Sequence, residues 1–149
     1  MAKSHRTPRS RNLDLARVLL VDDDLTSRLT LQTVLEAGGY SVDAAASAAE
    51  AVAKLDNREY ELVLSDLRME SPEAGLKVLA HARMMDYKPA TALITTYQNS
   101  KPRGGSRNSR DTVLIEPEDL PGLLSRVADL ISERATRRVE RELRHANVP

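Results

Sequence analysis

Three consecutive aspartates, Asp22 to Asp24, directly follow the apolar run in the stretch RVLLVDDD. An uninterrupted run of Val and Leu is typical of a strand that is buried on both faces. Carboxylates this close raise one another's pKa and cost free energy unless a cation lies among them. The aspartates therefore either point into water at the start of a helix or hold a positive ion.

Further polar residues end three later apolar runs that are predicted strands. They are Asp66 after ELVLS, Thr95 and Thr96 in TALITT, and Glu116 after TVLI. In parallel α/β sheets the carboxyl ends of the strands meet at one edge, where ligands bind. Carboxylates without His or Cys suit a hard cation such as Mg²⁺, and a neighbouring hydroxyl suits a phosphoryl oxygen. This pattern predicts that a divalent ion lies between Asp66 and the aspartates after the first strand.

Predicted strands and helices alternate along the chain, which is typical of an α/β fold with a doubly wound, five-stranded parallel sheet. Ser47 and Glu50 have the spacing of a capping box at a helix start, and Gly38-Gly39 can end the helix before it. Between the fourth and fifth strands lies QNSKPRGGSRNSR. Its Gly, Pro and polar residues cannot form an apolar helical face, so we expect a loop in place of the fourth helix.

The last segment, from Pro117 onward, predicts one extended C-terminal helix that packs on the sheet and projects beyond it. The projecting part offers a surface for a homodimer, but it contains too few heptads to argue for a coiled coil. We divide the chain into a disordered basic arm at 1–14, the α/β domain at 15–132 and a C-terminal helical extension at 133–149.

Composition limits the classes of function. The chain has 149 residues, enough for one domain with a sizeable core, and no Cys for a disulfide or a thiolate metal site. It has no signal peptide and no apolar run of about 18 residues, so we expect a soluble, cytoplasmic protein without membrane contact.

Basic residues concentrate in 1–11 and 98–110, whereas 12–97 carry 8 basic and 14 acidic residues. The basic segments either solubilise the chain or bind an acidic partner, and nucleic acid is disfavoured because no aromatic residues interleave the arginines.

Over residues 17 to about 132 the chain resembles the receiver domain of two-component response regulators. VLLVDDD is similar to the first strand of that family with its acidic pair, LVLSDLRM to the third strand with the phospho-accepting aspartate, and ALITTY to the fourth strand with the switch hydroxyl. The resemblance implies a flavodoxin-like receiver fold, Mg²⁺, and a histidine kinase as phosphoryl donor. It implies Asp66 as phospho-acceptor and Thr95 as the sensing hydroxyl. It also implies a metal site made by Asp22, Asp23, Asp66 and the backbone carbonyl of Arg68.

Four features depart from the family pattern. Glu116 stands at the position of the family's lysine, Val113 at that of its aromatic switch residue and Glu70 at that of its favoured proline, and the fourth helix is a predicted loop. A carboxylate at position 116 removes one positive charge and adds a negative one, while a phosphoryl group brings roughly two more negative charges. We therefore expect a non-enzymatic, atypical receiver that acts through protein contacts, with weak or absent phosphorylation. A conventional phospho-accepting receiver is the alternative.

Simpler or rival interpretations stay open for some of these residues. The stretch DDDLT also resembles the DxDxT nucleophile motif of haloacid-dehalogenase-type phosphatases, with Asp22 as nucleophile and Asp24 as general acid. That minor alternative leaves Asp66 unexplained. Asp24 could instead cap the following helix. Thr95 could be an ordinary strand residue, and Glu116 a solvated residue at a strand end.

Overall fold

The computed structural model describes residues 16–67, 69–96, 112–115 and 120–146. Five strands and four helices occur in this part of the chain. In chain order they are β1 (Arg17–Val21), α1 (Leu25–Ala37), β2 (Ser41–Ala45), α2 (Ala48–Asn57), β3 (Leu62–Asp66), α3 (Pro72–Arg83), β4 (Ala90–Thr96), β5 (Thr112–Ile115) and α4 (Leu120–Ala146).

The strands form one parallel sheet in the order β2-β1-β3-β4-β5. The chain moves outward from β1 to β2, returns past β1 to β3 and then continues to β5, so the sheet is doubly wound. This architecture confirms the predicted α/β fold class. The loop predicted in place of a fourth helix falls within 97–111, outside the described residues.

Two apolar clusters cover the two faces of the sheet. Along β1, Val18 and Leu20 belong to one cluster and Leu19 and Val21 to the other, because successive side chains of a strand point to opposite faces. The first cluster is completed by α1 and α4, and the second by α2 and α3. The four β1 side chains have no exposed surface. Burial on both faces explains why β1 has no alternation of polar and apolar residues.

The predicted helix boundaries are confirmed by their hydrogen bonds. The amide of Glu50 donates to Ser47 Oγ at 3.1 Å, as in a capping box, and Glu50 Oε1 accepts from the amide of Ala46, the residue before the cap, at 2.8 Å. At the end of α1 the left-handed residue is Gly39, with φ of 104°. A residue with a Cβ would be strained there, which explains the glycine at position 39.

The last helix runs without a break for 27 residues, about 40 Å at 1.5 Å per residue. Leu123 and Val127 near its start are buried against the sheet, whereas Val139 and Leu143 near its end are more than half exposed. The helix therefore packs on the domain and then projects from it, as predicted. The domain boundary predicted after residue 132 falls inside this helix and stays a prediction.

Helix α3 approaches β3 closely at Gly75. A Cβ on this residue would lie 2.7 Å from the backbone oxygen of Asp66 and 3.3 Å from Ser65 Oγ. The first separation is too short for any real contact, and the atom involved belongs to the backbone of a central strand. Glycine is therefore required here by the approach of two elements.

We expect Gly75→Ala to lower the free energy of unfolding by at least about 1 kcal/mol, because the added methyl group forces α3 away from β3. Helix propensity alone predicts the opposite sign, a gain of roughly 0.5–1 kcal/mol. Urea unfolding measures the difference. The exposed Ala80 of the same helix supplies the control, since Ala80→Gly should lose only the propensity term. A Gly75→Ala protein as stable as the wild type would contradict the close approach.

Candidate functional site

An acidic cluster lies where β1 and β3 end side by side. One carboxylate oxygen from each of Asp22, Asp23 and Asp66 lies within 4.8 Å of the others. A cation with oxygen ligands at about 2.0–2.6 Å can contact oxygens spaced in this way. The structure thus brings together the three carboxylates that the sequence predicted as metal ligands.

Strand pairing fixes the backbone on which these carboxylates stand. The amide of Asp22 donates to the carbonyl of Ala45 at 3.0 Å, so the β1–β2 ladder continues past the end of β1. The amide of Leu67 donates to the carbonyl of Ile94 at 2.8 Å, so β3 remains paired with β4 beyond Asp66. The cluster is therefore held by the sheet itself and not by the loops that follow it.

Asp22 is the buried member of the cluster, with 2% of its surface exposed. Its Oδ1 accepts a hydrogen bond from the amide of Asp24 at 2.9 Å, and its backbone carbonyl accepts one from Arg28 Nη1 at 2.8 Å. Sequence analysis missed this arginine, although its place at the end of the first turn of α1 brings it back toward the end of β1. The guanidinium contacts the backbone carbonyl, so this hydrogen bond occupies neither carboxylate oxygen of Asp22.

Asp23 is exposed, but its surroundings oppose its ionisation. Partial burial raises the pKa of its carboxyl above the usual 3.8, and the charges of Asp22, Glu70 and Asp24 raise it further. Glu70 is the residue that stands in place of the family's favoured proline. Its Oε2 accepts from the amide of Ala48 at 3.3 Å, at the start of α2. An additional carboxylate is thus held near the cluster.

The remaining predicted site residues have different outcomes. Asp24 Oδ2 accepts from the amide of Ser27 at 2.8 Å, which confirms the interpretation of Asp24 as the cap of α1. Thr95 follows Ile94, the residue paired with Asp66, and Val113 is paired with Ile94 from the other side. The backbone thus places Thr95 beside the end of β3, and the switch roles of Thr95 and Val113 stay predictions. Arg68, Glu116 and the Arg-rich loop at 98–110 lie outside the described residues.

The sequence profile of the response regulator receiver domain matches residues 18–107, which is more than half of the chain. The chain belongs to this family. Its function is accordingly that of a receiver domain in two-component signalling. The role of Asp66 as phospho-acceptor follows from the family pattern and stays a prediction.

Similar proteins include two transcriptional regulators. The chain is 30% identical over 122 residues to the transcriptional regulatory protein CpxR homolog of Haemophilus influenzae, with 82% of this chain and 53% of the regulator covered. It is 28% identical over 115 residues to the transcriptional regulatory protein ResD of Bacillus subtilis, with 77% and 48% covered. The chain spans about half the length of these two relatives.

Solved structures support the same fold. The response regulator receiver domain protein (CheY-like) from Methanospirillum hungatei superposes with a TM-score of 0.67 at 28% identity, covering 83% of this chain and 99% of that one. The response regulator receiver protein from Sinorhizobium medicae gives the same TM-score at 26% identity, covering 82% and 98%. Within the part of the chain that the structure describes, no helix is both long enough and apolar enough to cross a membrane.

We expect Mg²⁺ to stabilise the wild-type protein and Asp23→Asn to reduce this effect. A ligand that binds only the folded state adds about 1.4 kcal/mol at ten times its Kd. In Mg²⁺-free buffer the variant should be at least as stable as the wild type, because it relieves repulsion within the cluster. Urea unfolding with and without Mg²⁺ checks both signs.

The stability difference between the two proteins should also depend on pH in Mg²⁺-free buffer. Because the pKa of Asp23 is raised in the folded state, that state binds the proton more readily than the unfolded chain. The free energy of unfolding of the wild type should therefore rise relative to that of Asp23→Asn as the pH falls through the folded-state pKa of Asp23 toward 3.8. Asp129→Asn, an exposed change on α4, should keep the wild-type response to Mg²⁺. An equal Mg²⁺ response in Asp23→Asn would contradict the metal site.

Proposed function

We propose that this receiver domain is an atypical one, which binds a divalent cation and signals through protein contacts with weak or absent phosphorylation of Asp66. The observation that carries the proposal is Glu116, a carboxylate at the position of the family's lysine. Strand β5 ends at Ile115, which is paired with Thr96 at the carboxyl end of β4. Strand β5 thus ends at the edge of the sheet where the acidic cluster lies, and Glu116 is the next residue in the sequence.

The balance of charge at this edge opposes a phosphoryl group. Four ionised carboxylates, those of Asp22, Asp23, Asp66 and Glu116, together with one Mg²⁺ leave a net charge of −2 before any phosphoryl group arrives. The phosphoryl group would bring roughly two further negative charges. A lysine at position 116 would make the same set neutral. The carboxylate of Glu70, held near the cluster by the start of α2, adds to the repulsion.

The same set of side chains suits a cation. Its donors are carboxylate oxygens alone, which is the chemistry that Mg²⁺ prefers over softer metals. We assign the ligands to Asp22, Asp23 and Asp66, with the backbone carbonyl of Arg68 as a further one. A bound Mg²⁺ would supply positive charge at this edge of the sheet. Asp22, whose carboxylate is already oriented by the amide of Asp24, would fix the position of the ion.

The proposed output is contact with another protein, either a histidine kinase or a different signalling protein. Leu25 and Leu29 lie one turn apart on α1, directly after the acidic cluster, and both are more than half exposed. Apolar side chains in this place can contact a partner that approaches the site. The exposed Val139 and Leu143 of α4 give a second candidate surface, for a homodimer. We further propose a cytoplasmic location, no contact with membrane or nucleic acid, and no enzymatic turnover.

The deciding experiment titrates the protein with Mg²⁺ and then with beryllofluoride, a phosphoryl mimic, while amide NMR shifts are recorded. We expect Mg²⁺ alone to shift Asp22, Asp23 and Asp66, and beryllofluoride to add little. Glu116→Lys should then increase the affinity for beryllofluoride by at least about tenfold, since it exchanges repulsion for a charge-assisted hydrogen bond.

Glu118→Lys is the matched control, because it makes the same change of charge two residues away. It should leave the affinity for beryllofluoride near that of the wild type. Strong beryllofluoride binding by the wild-type protein, with shifts that spread to Thr95, would show a conventional phospho-accepting receiver. Equal gains in both lysine variants would show that position 116 has no special place at the site.

A further inference from the structure

A basic groove lies at the end of the sheet opposite the acidic cluster. It is formed between α4 and the segment 83–91, which leads from the end of α3 into the start of β4. Its volume is about 790 Å³. Because β4 begins at Ala90 and the acidic cluster stands where β1 and β3 end, the two features lie at opposite ends of parallel strands. The groove is thus separate from the site of metal binding.

The lining of this basic groove carries a strong excess of positive charge. Seven of its residues are Lys or Arg and three are Asp or Glu, a net charge of +4. Five of these basic residues are arginines of α4. They are Arg126 and a row of four, Arg134, Arg137, Arg138 and Arg141, spaced by three, four and seven residues from the first of the row.

One of these arginines is part of the framework of the groove. Arg134 has only 9% of its surface exposed, although it lies on the part of α4 that leaves the domain. Its Nε donates to the carbonyl of Lys88 at 2.9 Å and its Nη2 donates to the carbonyl of Tyr87 at 2.7 Å. Burial lowers its pKa from the usual value, but a guanidinium remains charged in proteins. Arg134 therefore fixes α4 to the loop before β4.

The loop itself is held in one conformation by further contacts. Tyr87 Oη donates to the carbonyl of Leu55 at 3.0 Å, and Lys88 Nζ donates to the carbonyl of Arg83 at 3.2 Å. Lys88 adopts a positive φ of 44°, which costs free energy for a residue with a Cβ. A groove whose two walls are joined in this way is formed before a ligand arrives, so little free energy is lost in ordering it.

The other arginines of the row point to an anionic ligand. Arg137 and Arg141 have no carboxylate within ion-pair distance among the described residues, and Arg138 has only an exposed partner, Glu142, at 3.9 Å. Exposed pairs of this kind contribute little. Like charges one turn apart on a helix destabilise it unless a counter-charge is present. Positive charge is therefore concentrated beside a preformed cavity, and the three acidic residues of the lining neutralise it only in part.

We propose that the basic groove binds a small ligand that carries several linked phosphate groups. Guanidinium groups match phosphate oxygens in charge and geometry, and the volume of the groove is in the range of small-molecule sites. A long nucleic acid is disfavoured because residues 12–97 carry 8 basic and 14 acidic residues and would repel it. Tyr87, the one aromatic residue of the groove in the described part of the chain, uses its hydroxyl on Leu55. Recognition is accordingly by charge and not by stacking on a base.

The test is isothermal titration of the full chain with inorganic tripolyphosphate in Mg²⁺-free buffer. We expect Arg137→Gln/Arg141→Gln to weaken binding by at least about tenfold, because two charge-assisted contacts are lost. Lys77→Gln/Arg144→Gln is the matched control. It removes the same charge from exposed positions on α3 and α4 that do not line the groove, and its affinity should stay within about twofold of the wild type. Amide shifts should be confined to 86–91 and 126–141.

Several outcomes would overturn the proposal. If both double variants lose the same affinity for tripolyphosphate, the ligand is attracted only by the overall charge of the protein. If tripolyphosphate produces neither heat nor amide shifts, the groove is not a phosphate site. Tighter binding of hexaglutamate or of a short DNA strand would assign the groove to a protein or nucleic-acid partner. ATP tested beside tripolyphosphate separates two sources of the same chemistry. Binding of both ligands supports the proposal. If ATP binds more tightly than tripolyphosphate, the ligand with linked phosphates is a nucleotide.

Discussion

Repulsion between carboxylates at the carboxyl edge of the sheet is the constraint around which this structure is arranged. Asp22 directly follows β1 and Asp66 ends the neighbouring parallel strand β3, so the separation of their backbones is set by strand spacing. The repulsion is offset by hydrophobic burial elsewhere, since β1 and β3 lie in the centre of the sheet with apolar clusters on both faces. The favourable free energy of folding keeps the carboxylates close together despite their repulsion. A bound cation would relieve this repulsion, so its binding would stabilise the folded state.

Charge is also separated along the strand direction. One end of the sheet carries the aspartates, together with Glu70 at the start of α2. The other end carries the arginines of α4 and the loop before β4. The net charge of zero for the chain conceals this separation. The electrostatic field of such a charge distribution attracts anions to the basic end of the sheet and cations to the acidic end.

Local signals in the sequence predicted most of the framework, because short-range physics decides it. The uninterrupted apolar run of β1 indicates burial on both faces, and the Ser47–Glu50 spacing predicts its own hydrogen bonds. The pairing of Asp22 and Asp23 with Asp66 could also be predicted, since it depends only on strand order in a parallel sheet. These features require no knowledge of side-chain contacts between distant elements.

Contacts between distant elements were missed for the same reason. Arg134 looks like a surface residue within a charged helix, and its burial depends on carbonyls that lie 46 and 47 residues earlier. The contact of Glu70 with Ala48 joins loops 22 residues apart, and the sequence showed only that proline was missing. Arg28 could have been placed near Asp22 from helical geometry. Its acceptor is a backbone carbonyl, however, and because every residue has one, the sequence does not indicate which carbonyl accepts.

The continuity of α4 has a mechanical consequence. The helix is anchored at Leu123 and Val127 in the core and again at Arg134, and beyond these points it continues without a break to Ala146. From Arg134 to its end it measures about 18 Å, so a tilt of about 10° at Arg134 would displace its tip by about 3 Å. A rearrangement too small to alter the core would therefore produce a larger displacement at the C-terminal end of α4. The helix is thus a lever arm, and its fulcrum is the buried guanidinium.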